Sequence, residues 1–112
     1  MKNRAPYRLF EESNISPIIE ESVKKPVVVL FSAEWLGSAH ILENFLNELA
    51  QEKPELALYK IDVDTNQSLT EQFGISQVPT TVFLRNGEIH DFLLGIMSKR
   101  RLKEHLDNFL NA

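Results

Sequence analysis

The stretch PVVVLFS, residues 26–32, limits what this chain can fold into more than any other. Val27, Val28, Val29, Leu30 and Phe31 follow one another with no polar residue between them. A strand with one wet face alternates apolar and polar side chains, whereas a continuous β-branched run belongs to a strand covered on both faces. Such strands sit in parallel sheets with helices packed above and below. The run is also the longest purely aliphatic or aromatic one in the chain, far short of the ~20 residues that cross a bilayer.

Helices are available on either side of it. Asn14, Ser16 and Pro17 mark a helix start, Ile18, Ile19 and Val23 form its apolar stripe, and Pro26 requires it to stop beforehand. From Ser38 onward Ile41, Leu42, Phe45, Leu46 and Leu49 recur at helical spacing, and Pro54 closes that helix. LALYKIDVD alternates Leu56, Leu58 and Lys60 with Ala57, Tyr59 and Ile61, the pattern of a second central strand. A short helix is expected between Asp64 and Phe73, with Leu69 and Phe73 inward and Gly74 just past its end. Asn86-Gly87 between two β-type runs is the strongest short hairpin signal, and Gly95 interrupts the second of those strands. Ser98 is placed to cap a last helix that buries Leu102, Leu106, Phe109 and Leu110. Tyr7 to Phe10 reads as a short edge strand. The order β-α-β-α-β-α-β-β-α describes an α/β protein with a central mixed sheet flanked by helices. The 112 residues suit one domain over 1–112, with residues 1–6 as a flexible N-terminus.

Charge and residue usage narrow the function. Twelve Lys plus Arg against 16 Asp plus Glu leave a net charge of -4, which argues against nucleic-acid binding through phosphate neutralisation. The start MKNRAPYRLFEES has no apolar run of a signal peptide, so the expected address is cytoplasmic, with no membrane partner. There is no cysteine, which removes disulfides, thiol catalysis and thiolate metal sites.

Several landmarks then resemble the thioredoxin family: AEW (Ala33, Glu34, Trp35) after the buried strand, YKIDVD, FGISQVPT, RNGE, Gly95 and the last helix. The resemblance runs from about Ile15 to Leu110 and implies a thioredoxin-like fold. The family's redox motif reads W-C-G-P-C; here Trp35, Leu36, Gly37, Ser38 and Ala39 stand in its place. The family's buried aspartate is replaced by Leu30, and Lys60 keeps the family's residue near it. These losses agree with one another. Disulfide exchange needs a thiolate, and without a thiol to serve, a buried carboxylate is only a cost. A fully buried leucine instead gains roughly 1.5–3 kcal/mol. Lys60, without its partner, is expected to snorkel to solvent.

The resemblance also implies a groove. Trp35, Leu36 and Ser38 would meet Gln77, Val78, Pro79, Gly95 and Ile96, with the bond before Pro79 cis and the backbone at Val78 pairing with an extended peptide. Two readings of it stand: a surface that binds a peptide segment or protein partner, or an inherited surface that is unused, with Trp35 packed on the loop beneath it. The functional expectation is a redox-inactive adaptor, chaperone or assembly factor. The alternatives are a structural subunit or homodimer, and a non-thiol enzyme. For the last, Ser38 and His40 are two apart on a helix start and do not face each other, and no acid orients His40. Ser38 is expected to cap its helix instead. His40, His90 and His105 lack ligand spacing, and Asp62, Asp64 and Glu71 lack the order of a calcium loop, so no metal or cofactor is expected. Lys99, Arg100 and Arg101 crowd the first turn of the last helix, where the helix dipole disfavours cations. They read either as a patch for an acidic partner or as a solvated turn.

Overall fold

The strand buried on both faces finds its cover in helices from both ends of the chain. The computed structural model describes residues 8–9 and 14–111. In order they form β1 (Arg8–Leu9), α1 (Ser16–Lys24), β2 (Val27–Ser32), α2 (Ala39–Gln51), β3 (Ala57–Asp62), α3 (Gln67–Gln72), β4 (Thr80–Arg85), β5 (Glu88–Leu94) and α4 (Lys99–Leu110). The expected flexible segment 1–6 and the strand ends Tyr7 and Phe10 lie outside the described residues.

The sheet order is β1-β3-β2-β4-β5. β3 runs parallel to β1 and β2, while β4 is antiparallel to β2 and β5 to β4. Every residue of β2 is buried, and its alternating side chains divide between two cores. Val27, Val29 and Phe31 join Ala57, Tyr59, Ile61, Val82 and Leu84 beneath Ile18, Leu69 and Phe73. Val28 and Leu30 join Leu58 and Phe83 beneath Leu42, Leu46, Leu49, Leu102, Leu106 and Phe109. The alternation read in LALYKIDVD is the alternation observed.

Four expectations need correction. Val23 is 64% exposed, and the inward neighbour of Ile18 is Ser22, four residues on and therefore on the same helix face. Ile41 is 53% exposed because it lies one step off the Leu42–Leu46–Leu49 stripe, whose inward face is completed by Ala39 and Ala50. α3 begins at Gln67 rather than Asp64, since Asp62 holds the preceding turn: its carboxylate accepts from the Asp64 N–H (2.8 Å) and its carbonyl from the Asn66 amide (2.9 Å). Gly95, at φ +82, follows β5 and ends it rather than interrupting it.

Ser22 explains its own burial. Its hydroxyl donates to the Ile19 carbonyl (2.7 Å) and accepts from the Gly87 N–H (3.0 Å), while its carbonyl accepts from the Asn86 N–H (2.7 Å). Asn86 and Gly87 both have positive φ, 59° and 79°, as a two-residue hairpin turn requires. One helix residue thus pins the turn between β4 and β5. Ser22→Ala should lower stability by about 1–2 kcal/mol by removing the acceptor of the Gly87 N–H. An unchanged urea midpoint would mean that the strands alone hold the turn.

α4 is fixed at both ends. Ser98, with extended ψ of 157°, accepts from the Arg101 N–H at 3.1 Å. At the other end the Arg85 guanidinium on β4 donates to the carbonyls of Phe109 (3.0 Å) and Leu110 (3.2 Å) and stacks 5.5 Å over the Phe109 ring. Lys53, just past α2, reaches Asp107 at 3.0 Å, and the hydrogen bond from Lys103, then that from Lys53, hold the Asp107 carboxyl below its ordinary pKa.

Candidate functional site

The register of the sheet places the site. Ser32 at the end of β2 lies beside Asp62 at the end of β3; Phe31 pairs with Thr80 at the start of β4, and Thr80 with Leu94 at the end of β5. The segments after β2, β3 and β5 and the one before β4 therefore all leave one end of the sheet. They carry Trp35, Asp64, Ile96 and Val78 respectively.

The turn after β2 is tight. Leu36 donates to the Ala33 carbonyl (3.1 Å), Ala39 to Leu36 (3.0 Å), His40 to Gly37 (3.1 Å) and Ile41 to Ser38 (3.3 Å). Each bond spans three residues, so α2 starts as a 3₁₀-like turn. Ser38 is already helical (φ -65°, ψ -24°), and its side chain makes no capping bond. The expected cap fails because a capping residue needs the extended backbone that Ser98 has and Ser38 lacks. The same turn puts the Ala39 side chain inside, 1% exposed, and leaves Leu36 half-buried at the surface.

Trp35 is held and displayed at once. Its indole N–H donates to Asp64 at 2.8 Å, so the ring is anchored to the loop after β3, yet it stays 68% exposed. On the segment before β4, Gln77 is exposed, Val78 half-buried and Pro79 buried, and the Val78–Pro79 bond is cis. The Thr80 hydroxyl donates to the Gln77 carbonyl (2.8 Å) and the Gly95 N–H to the Pro79 carbonyl (2.9 Å). The second bond ties the loop before β4 to the loop after β5, where Ile96 is 44% exposed.

Behind the turn, the polar chemistry differs from expectation. Lys60 does not snorkel. Its ammonium meets the Glu43 carboxylate of α2 at 2.9 Å, with both side chains largely buried, at 11% and 12% exposure. Sequence spacing hid this pair, because Glu43 and Lys60 sit on different elements that only packing brings together. Glu43 also lies 3.6 Å from the His40 imidazole, so an acid does stand beside His40, though the carboxylate is already engaged by Lys60. Leu30 is 2% exposed and paired across the sheet with Thr81, whose buried hydroxyl finds no partner among the described residues. An apolar side chain at 30 offers that hydroxyl nothing.

The remaining candidates are placed as follows. Lys99 reaches Glu48 of α2 at 2.5 Å and Arg100 lies 3.5 Å from Glu104 one turn on, so two of the three cations that crowd the start of α4 have carboxylates within the chain. His105 bonds Asp91 of β5 at 2.7 Å and its ring packs 4.9 Å from Phe83, while His90 faces Phe109. Among the described residues no three His, Asp or Glu side chains converge as a metal site, and no helix is long and apolar enough to cross a membrane.

The family model for thioredoxin matches residues 9–108. The chain belongs to the thioredoxin family. It is 36% identical over 85 residues to a thioredoxin of Mycoplasmoides gallisepticum, covering 76% of this chain and 85% of that one. It is 30% identical over 95 residues to a chloroplastic M-type thioredoxin of Spinacia oleracea, covering 84% of this chain. The chain spans about half the length of that chloroplast relative, 51%. In structure it resembles a mutant thioredoxin of Halobacterium salinarum NRC-1 (TM-score 0.80, 26% identity, 98% and 96% of the two chains). It shares its fold with thioredoxin of Trypanosoma brucei brucei (TM-score 0.82, 21% identity, 100% and 98%). These 112 residues contain no cysteine to supply a thiolate.

Proposed function

We propose that this thioredoxin-family chain is redox-silent and binds an extended segment of a protein partner without covalent chemistry, as a cytoplasmic adaptor, chaperone or assembly factor. The observation that carries the reading is the collar of exposed apolar side chains around a turn without a thiol. Trp35 and Ile96 are 68% and 44% exposed and stand on two segments, after β2 and after β5, that leave the same end of the sheet. Grouped exposed apolar side chains mark partner sites more often than scattered ones do. In this reading the backbone at Val78 pairs with the segment as an added strand, and Trp35, Leu36, Ser38 and Ile96 contact its side chains.

A photo-crosslinking residue at Ser38, with Asn108 on α4 as the control position, tests it in native lysate. A discrete partner or a set of clients trapped from Ser38 and lost on Trp35→Ala is expected. Equal, sparse labelling from both positions would mean that the groove is vestigial. Trapping of a second copy of the chain would replace client binding with a homodimer.

A further inference from the structure

We infer that the segment taken by this groove carries a basic side chain next to the apolar one that meets Leu36. The inference rests on the groove reading above and adds its charge. The stretches joined by the Trp35–Asp64 bond, residues 31–40 and 61–66, contain Glu34, Asp62 and Asp64 but no Lys or Arg. Among the described residues no Lys or Arg pairs with Glu34, Asp62 or Asp64, and the cations on neighbouring elements are engaged elsewhere, Lys60 with Glu43 and Lys99 with Glu48. An apolar collar with an acidic flank is complementary to an apolar segment with a cationic flank, and repels an acidic one.

Trp35 makes the match specific. Its N–H is committed to Asp64, and Asp64 is itself steadied by its backbone bond to the Asp62 carboxylate (2.8 Å). The indole is therefore presented with its edge against a carboxylate and much of its surface open, at 68% exposure. A Lys or Arg of the partner laid on that ring gains the attraction of the π face and of the carboxylate at its edge together. The start of α4, at Lys99, Arg100 and Arg101, offers less to an acidic partner, because Glu48 and Glu104 already stand against Lys99 and Arg100.

The probes are three synthetic extended peptides with a central Leu flanked by Lys, by Gln or by Glu, followed by fluorescence anisotropy at low and at physiological salt. The Lys peptide should bind about tenfold tighter than the Gln peptide, with the Glu peptide weakest and the differences narrowing as salt rises. A Glu34→Gln variant, at an exposed side chain with no part in holding Trp35, should shrink the Lys preference while leaving the affinity for the Gln peptide in place. Equal binding of all three peptides would overturn the charge preference and leave the groove standing. Binding of none would overturn both. Tightest binding of the Glu peptide would overturn the preference and direct attention to the turn at Lys99.

Discussion

A Leu36→Cys, Ala39→Cys double variant is expected to reduce insulin disulfides in the presence of dithiothreitol, where the parent chain gives only the uncatalysed rate. The turn is already built for it. Positions 36 and 39 lie one 3₁₀-like turn apart, joined by the Ala39 to Leu36 backbone bond of 3.0 Å, a separation that suits a disulfide. Position 36 is partly open and position 39 is 1% exposed, so one thiol would meet the substrate and the other would resolve the mixed disulfide from inside. The start of α2 favours a thiolate at the outer position. Nothing at Leu30 would accept the inner thiol's proton, so the rate should exceed background by at least ~10-fold yet improve further when Leu30→Asp is added. That third change should cost stability, since it gives up roughly 1.5–3 kcal/mol of leucine burial and buries a carboxyl. Insulin turbidity gives the rate, and mass spectrometry after mild oxidation shows whether the disulfide forms. Free thiols after oxidation would mean that the turn no longer has the geometry of a redox motif.

Phe83→Ala should produce a larger loss of stability than Ser22→Ala. Phe83 is fully buried on β4, a central strand, and its ring lies 5.2 Å from Phe109 and 4.9 Å from His105, centroid to centroid. It joins the sheet to α4. Truncation would leave a void on that face and cost about 3–5 kcal/mol, a large share of the ~5–15 kcal/mol that typically holds a domain together. Phe83→Leu, which keeps most of the volume, should cost no more than about 1.5 kcal/mol. Urea denaturation of both variants checks the pair. Similar midpoints would show that α4 docks through its capped ends, at Ser98 and Arg85, rather than through this ring.

The pattern of the chain carried most of the fold because burial in this sheet is periodic. A run of five apolar residues from Val27 to Phe31 can only be satisfied by cover on both faces, and LALYKIDVD sorts its side chains by parity into the same two cores. Asn86-Gly87 and Ser98 were legible for a local reason: positive φ in a two-residue turn and a side-chain acceptor before a helix depend on neighbouring residues alone. Helix faces were less legible. Val23 and Ile41 fit a helical stripe within one position, and hydrophobicity by itself does not say which edge of the stripe meets the sheet. Ser22 went inward because the hairpin turn supplied the partners that a buried hydroxyl needs, and that turn lies 65 residues further along the chain.

The candidate site divides in the same way. The absence of a thiol was plain from the residue types alone, since chemistry needs particular atoms wherever the chain places them. The anchoring of Trp35 on Asp64, the Lys60–Glu43 pair and the bonds from Arg85 to the end of α4 came only with folding. Each joins groups that are distant in sequence, and the strength of a charged or hydrogen-bonded contact depends on a distance and a burial that no spacing along the chain specifies.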